Sequence, residues 1–224
     1  MSKNSDYEGA DWVWDNAKRK LVKGYEVEII AISFKEIYLP IYFNLCKIKK
    51  KILIEQFKII RKITKSNKVI FDGGYACDDF YKNLSEENFI FYSKVQKSWI
   101  FNNGQNVSVK KMRNNLRLKE KQSYAIKAYR VKNNKITDDK YYICFSHGDY
   151  RALITNNLNE DKEKIARKSF VNFGKRWDIE TCNSEIKSNF CFEKLPVRNK
   201  NAIKGYILTT LLALSVMTDR KSVV

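Results

Sequence analysis

The chain has a single histidine, His147, and its five cysteines (Cys46, Cys77, Cys144, Cys182 and Cys191) include no Cys-x-x-Cys pair. Zinc sites draw on closely spaced Cys and His ligands, so this set argues against one. An odd, scattered group of thiols argues instead for reduced, mostly buried side chains and a cytoplasmic chain. His147, in Ser-His-Gly between two expected strands, reads as a turn residue. A membrane span is also lacking. The longest apolar stretch, residues 206–217, falls short of the roughly 20 residues that cross a bilayer, and reads as a terminal helix docked on a core. Residues 1–20 are polar and read as no signal peptide. No internal repeat or low-complexity tract interrupts the chain.

Acid is in short supply as well. Asp plus Glu number 25 against 43 Lys plus Arg, leaving a formal charge of +18. The basic residues run through the whole chain instead of forming a tail. Such a field favours a polyanion such as DNA or RNA, or an anionic surface, and carries no sequence information by itself. Hydrophobic residues make up 44% and aromatics 13%, which excludes a disordered basic tail. At 224 residues the chain is long enough for one good core and too short for two ordinary domains with a linker.

Periodicity sets the order of elements. Residues 1–23 show neither alternation nor a helical stripe and read as an irregular arm, with Trp12 and Trp14 expected to fold back or to contact DNA or a partner subunit. From Gly24 onward, Tyr25, Val27 and Ile29 alternate with Glu26 and Glu28, as in a half-buried strand. A second strand is expected at 39–46, with Pro40 at its start. A helix follows at 51–64, lined by Ile54, Phe57, Ile60 and Ile63. KVIFD at 68–72 reads as a short strand ending in an acid and broken by Gly73-Gly74, followed by a helix at 76–85 and a strand at 89–95. Strands with helices between them predict an α/β sheet protein, with 24–224 as the main domain. Residues 98–160 read as a β-rich basic insertion, with strands at 107–112, 124–131, 140–146 and 151–155.

Beyond residue 160 the pattern turns helical. At ~100° per residue, Ile179, Cys182, Ile186 and Phe190 share a core-facing arc. Phe173, Arg176, Glu180 and Lys187 share the neighbouring arc, so a carboxylate flanked by two cations sits at the edge of solvent. On spacing alone this is equally an ordinary helix surface with an Arg-Glu pair.

The spacing Phe173-x2-Arg176-x3-Glu180-x6-Lys187 resembles the signature of DDE transposases of the insertion sequence 4 type, in which Tyr, Arg, Glu and Lys stand at those intervals. The context KRWDIETCNSEIK resembles that family too, and Asp72-Gly73-Gly74-Tyr75 after an apolar strand resembles its second acidic motif. The resemblance implies a ribonuclease-H-like mixed sheet over residues 25–187, with Asp72 as the second catalytic acid and Glu180 as the third. It implies metal-dependent cleavage and strand transfer on double-stranded DNA at transposon ends, with Mg²⁺ (Mn²⁺ as substitute) held by those acids. Hard divalent ions do take oxygen ligands of this kind. Arg176 and Lys187 would hold phosphates, the first as a fork and the second as a point charge. Phe173, Tyr75 and Gly74 would support the site. Trp177 is placed either to stack on a base or to pack in the core. Self-association on DNA is a further expectation.

Two departures stand out. Phe173 replaces the signature Tyr, which loses the phenol and keeps the ring. No apolar strand ending in Asp-Ser/Thr-Thr, the family's first acidic motif, precedes Gly24, and Asp6, Asp11 and Asp15 follow no apolar run. The sequence therefore predicts a chain shortened at its amino terminus, with the first core strand missing and metal binding weakened. Two other readings stay open: a non-catalytic DNA-binding or regulatory fragment, and an unrelated basic RNA-binding protein.

Overall fold

The computed structural model describes residues 8–15, 18–34, 37–45, 50–189 and 197–221. In chain order the elements are β1 (Asp11–Asp15), β2 (Lys20–Gly24), β3 (Glu28–Phe34), β4 (Ile37–Asn44), α1 (Lys50–Thr64), β5 (Lys68–Phe71), α2 (Asp78–Glu86), β6 (Ile90–Lys94), β7 (Ile100–Asn102), β8 (Asn106–Ser108), α3 (Val109–Asn115), β9 (Ser123–Lys132), β10 (Lys135–Ser146), β11 (Asp149–Thr155), α4 (Lys162–Gly174), α5 (Arg176–Asn189) and α6 (Lys200–Lys221). They fall into two compact units: a central one, Lys50–Arg176, and a terminal one made of Met1–Lys49 and Trp177–Val224.

The central unit is built on one seven-stranded sheet in the order β5-β6-β11-β10-β9-β7-β8. Its β5 and β6 run parallel, Phe71 opposite Ser93, while the other pairings are antiparallel. Parallel neighbours need a crossover, and α2 supplies it. This is the mixed α/β sheet expected of a ribonuclease-H-like core. Residues 98–160 are continuous with it, since β11 pairs with β6 and the other insertion strands extend the same sheet.

Aromatic packing joins the parallel pair to α2. The Tyr81 ring stacks on Phe91 at 4.6 Å, and Phe71 meets Phe80 edge-on at 5.1 Å. Burial raises the Tyr81 and Tyr141 phenols above their ordinary range, so both stay neutral. The same helix is tied to the insertion by Arg130. Its Nε donates to Asp78 at 2.8 Å, its Nη1 to the carbonyls of Ile100 and Val131, and its guanidinium lies 4.2 Å from the Trp99 ring. On the sheet's other strands α4 packs Ile165, Ala166 and Phe173 against Ala125, Cys144 and Leu153. Burial pushes the Cys144 thiol up to about 12, and its Sγ donates to Ser169. It is therefore the inert interior thiol that the cysteine pattern predicts.

In the terminal unit β3 and β4 form their own hairpin, and α6 lies on it. Leu45, Ile186, Ile203, Ile207, Leu211 and Leu214 make the core, with Tyr25, Val27, Ile29 and Phe43 packed beside it. The apolar stretch at 206–217 is thus a docked helix, as expected. Among the described residues no helix is long and apolar enough to cross a membrane.

Several expectations need correction. Residues 11–24 are not irregular: β1 and β2 pair antiparallel from Asp11 opposite Gly24 to Asp15 opposite Lys20. That hairpin leaves both large rings of β1 exposed, so the burial alternation sought in a sequence has no apolar partner to reveal it. The strand expected from residue 25 starts at Glu28, with 25–27 packed as extended chain. The strand expected at 107–112 stops at Ser108, whose hydroxyl accepts from Lys111 N at 3.3 Å and caps α3. An N-cap serine overrides a weak alternation. In α1 the buried stripe is Leu53, Ile54 and Phe57, and Ile63 is exposed in the last turn.

Candidate functional site

Where two parallel strands end side by side, their carboxyl ends leave a crevice, and ligands in open α/β sheets sit there. The central unit has such a place. Strand β5 ends at Phe71, Asp72 follows it exposed, and Gly73–Tyr75 form a 3-10 turn. The neighbouring β6 ends at Lys94. Between them lies an open pocket of about 370 Å³, with Asp72, Gly73 and Gly74 on one side and Lys94, Gln96 and Lys97 on the other.

The turn needs no left-handed glycine, since the positive-φ glycines are Gly9, Gly104 and Gly148. Tyr75 N donates to the Asp72 carbonyl at 3.1 Å, and Ala76 N donates to the Gly73 carbonyl at 3.0 Å. Nor does the turn need glycine for clearance, since a Cβ on Gly74 would meet nothing within 4 Å and one on Gly73 only ordinary van der Waals neighbours. A Cβ on Gly73 would stand 3.5 Å from both the Cβ and the carbonyl oxygen of Lys94, so the turn lies close against the end of β6. Tyr75 packs edge-on to Phe71 and near Phe80, anchoring the turn through its ring. Lys97 is held over the Tyr150 ring at 5.8 Å, and the Gln96 side chain accepts from Trp99 Nε1 at 3.1 Å.

The cations at this pocket were not singled out from the sequence. The signal was available: 68–72 and 89–95 are strands joined by a helix, hence parallel neighbours, and each carries a charged residue at or next to its end. Reading the two strand ends together, and not Asp72 alone, leads to Lys94.

The second part of the expected constellation lies across a helix break. Helix α4 ends at Gly174, Lys175 N donates to the Asn172 carbonyl at 3.1 Å, and α5 starts at Arg176. The wheel drawn from Phe173 through Lys187 therefore spans two helices, and constant rotation per residue holds within each of them. Phe173 is 3% exposed on α4, and the Arg176 guanidinium carbon lies 5.3 Å from its ring, a cation-π pair that needs no phenol. Glu180 is half-buried on α5. Its neighbour Asp178 accepts from the Ser33 hydroxyl of β3 at 2.9 Å, which fastens the start of α5 to the terminal unit's hairpin. Trp177 is 59% exposed, which overturns the core packing weighed for it. The side chains of Cys182 and Lys187, and residue Phe190, lie outside the described residues.

Among the described residues no group of three or more His, Cys, Asp or Glu converges. In the central unit, the Asp72 pocket brings one carboxylate to a wall with two lysines. Its oxygen chemistry suits a hard divalent ion, and its cations suit the phosphates such an ion accompanies.

A basic α/β protein with a mixed sheet, an acid at one parallel strand end and a later helix bearing Arg and Glu is the class defined so far. Residues 49–216 match the model of the family described as Transposase DDE domain, and the chain belongs to that family. The match removes the reading of an unrelated RNA-binding protein. A comparison with curated proteins finds no match, and neither does one with solved structures.

Proposed function

We propose that the chain works on DNA as a transposase domain, with Asp72 and Glu180 as the carboxylates that hold Mg²⁺, or Mn²⁺ in its place. The observation that carries this reading is the Asp72 pocket with Lys94 and Lys97 on its opposite wall, in a chain of this family. The ion, when bound, supplies Lewis-acid polarisation of a phosphodiester and lowers the pKa of an attacking water or 3′ hydroxyl. The chain's own side chains bind and orient the strand. Lys94 and Lys97 take phosphates as point charges, Arg176 takes one as a fork while leaning on Phe173, and Lys187 adds a further cation. Trp177, exposed beside them in sequence, stacks on a base. Tyr75 and Gly74 shape the turn that presents Asp72. On this reading the substrate is double-stranded DNA at transposon ends and target, the outcome is cleavage and strand transfer, and copies of the chain associate on that DNA.

The absence of a three-acid group among the described residues favours a second reading, a DNA-binding domain that does not cut. Nicking of supercoiled plasmid in Mg²⁺ or Mn²⁺ separates the two. The proposal expects divalent-dependent nicking that disappears in Glu180→Gln. The second reading expects none in either protein.

DNA binding is tested at the pocket independently of cutting. Each phosphate neutralised on a duplex contributes a slope of about 0.9 to the fall of log K with log salt. Lys94→Gln/Lys97→Gln is expected to lower that slope by roughly 2 and to weaken binding to all duplex sequences alike. An unchanged slope removes both lysines from the interface.

A further inference from the structure

The β1–β2 hairpin, residues 11–24, lies outside the stretch that matches the family and outside the proposed site. Its register pairs Trp12 with Lys23 and Trp14 with Leu21. Directly opposed residues share a face, and alternate residues along a strand do too. One face of the ribbon therefore carries Trp12, Trp14, Leu21 and Lys23. The other carries Asp11, Val13, Lys20, Val22 and Gly24.

Three features of the first face stand out. Trp12 is 65% exposed, Trp14 59% and Leu21 56%, so a surface that would gain by burial stays open. By the register Lys23 falls on this face and Asp11 on the opposite one, and Lys18 and Arg19 stand just ahead of β2. Trp12 and Trp14 are alternate residues on one strand, so their backbone positions are about 6.6–6.8 Å apart. That is about twice the 3.4 Å rise per nucleotide of a strand, so each ring can take one base or the pair can hold a base between them.

The hairpin is also fixed at its root. Glu8 N donates to the Arg198 carbonyl at 3.2 Å, the Glu8 carboxylate accepts from Lys200 N at 3.1 Å, and the Tyr25 hydroxyl donates to the Glu8 carbonyl. A carboxylate at the first turn of α6 is favourable against the helix dipole, and it holds the strand that leads into β1.

We infer that the Trp12–Trp14 face of the hairpin is a binding site for an unpaired nucleic-acid strand, with bases stacked on the two indoles and phosphates drawn to Lys23, Lys18 and Arg19. Aromatic stacking platforms beside cations are the general means of holding single strands without reading sequence, because every base has a π face. The cations at and beside this face give the charge complementarity, and the net charge of +18 disfavours a second copy of the chain as the occupant.

The test uses the full chain and a fluorescein-labelled ten-nucleotide oligothymidylate, followed by anisotropy at fixed salt. Trp12→Ala/Trp14→Ala is expected to weaken binding about 30-fold or more, and Trp12→Phe/Trp14→Phe to keep most of it, since a smaller ring still stacks. Affinity for a ten-base-pair duplex is expected to change by less than about twofold, because phosphate contacts remain. Thermal melting of the variants is expected to match the wild type, the rings being exposed. Unchanged affinity of the alanine variant for the oligothymidylate overturns the inference. So does an equal loss on the duplex. So does a loss that shows only as weaker binding to phosphatidylserine vesicles or as a vanished dimer in light scattering. Failure of Asp72 or Glu180 as catalytic groups leaves this site untouched.

Discussion

Asp72→Asn is expected to cut metal-dependent DNA nicking on the order of 10³-fold, since a metal's contribution to phosphodiester cleavage is several kcal/mol, while duplex binding holds or tightens slightly. The two effects part because the carboxylate has opposite consequences for them. It is one of two acids proposed to carry the divalent ion, so its neutral amide removes a charged ligand. It also lines the same pocket as Lys94 and Lys97, where a negative charge opposes an incoming phosphate. The turn is stitched by main-chain hydrogen bonds from Tyr75 and Ala76, and Asp72 gives no side-chain cap, so the amide leaves the fold intact. Nicking rate and duplex affinity measured on the same preparation check this. Parallel loss of both would make Asp72 a binding or folding residue.

Arg130→Met is expected to destabilise the central unit by about 3–5 kcal/mol, the usual cost of stranding one partner of a buried ion pair. Arg130 is 8% exposed, and its guanidinium serves four ends at once: the Asp78 carboxylate on α2, the carbonyls of Ile100 and Val131 on two neighbouring strands, and the Trp99 ring. Methionine keeps the bulk and abandons all of these. Asp78→Leu added to it should recover part of the loss, because the uncompensated acid is then gone. Thermal melting reads both, with a drop of roughly 6–20 °C for the single variant. A drop confined to 1–2 °C would mean that the aromatic stack alone holds α2 in place.

What was legible in the sequence followed from burial. Residues 68–71, 90–94 and 123–155 alternate or run apolar because they pair inside one sheet, and the strands expected at 68–72, 89–95, 124–131, 140–146 and 151–155 lie there within a few residues. His147 sits in the turn expected of it, between Ser146 and Asp149, with Gly148 at φ 73°. The family was legible from two short motifs, and the match over residues 49–216 bears that out. Less could be read where burial is absent. The hairpin at 11–24 exposes its largest side chains, so pairing shows only in three dimensions. The break at Gly174 and Lys175 lies inside a run that reads as continuous helix. Lys94 and Lys97 were hidden for a different reason. In a chain with 43 basic residues no single lysine is conspicuous, and only the parallel pairing of β5 with β6 gives these two a partner.

Uptake of Mn²⁺ by the full chain, followed by loss of the free-ion resonance in electron paramagnetic titration, tests most directly whether Asp72 and Glu180 are metal ligands. Wild-type protein with a short duplex is expected to bind the ion weakly, as two acids would. Asp72→Asn and Glu180→Gln are each expected to weaken that binding about tenfold or more. Uptake that neither substitution alters, or none in the wild type, would contradict the assignment of these two acids.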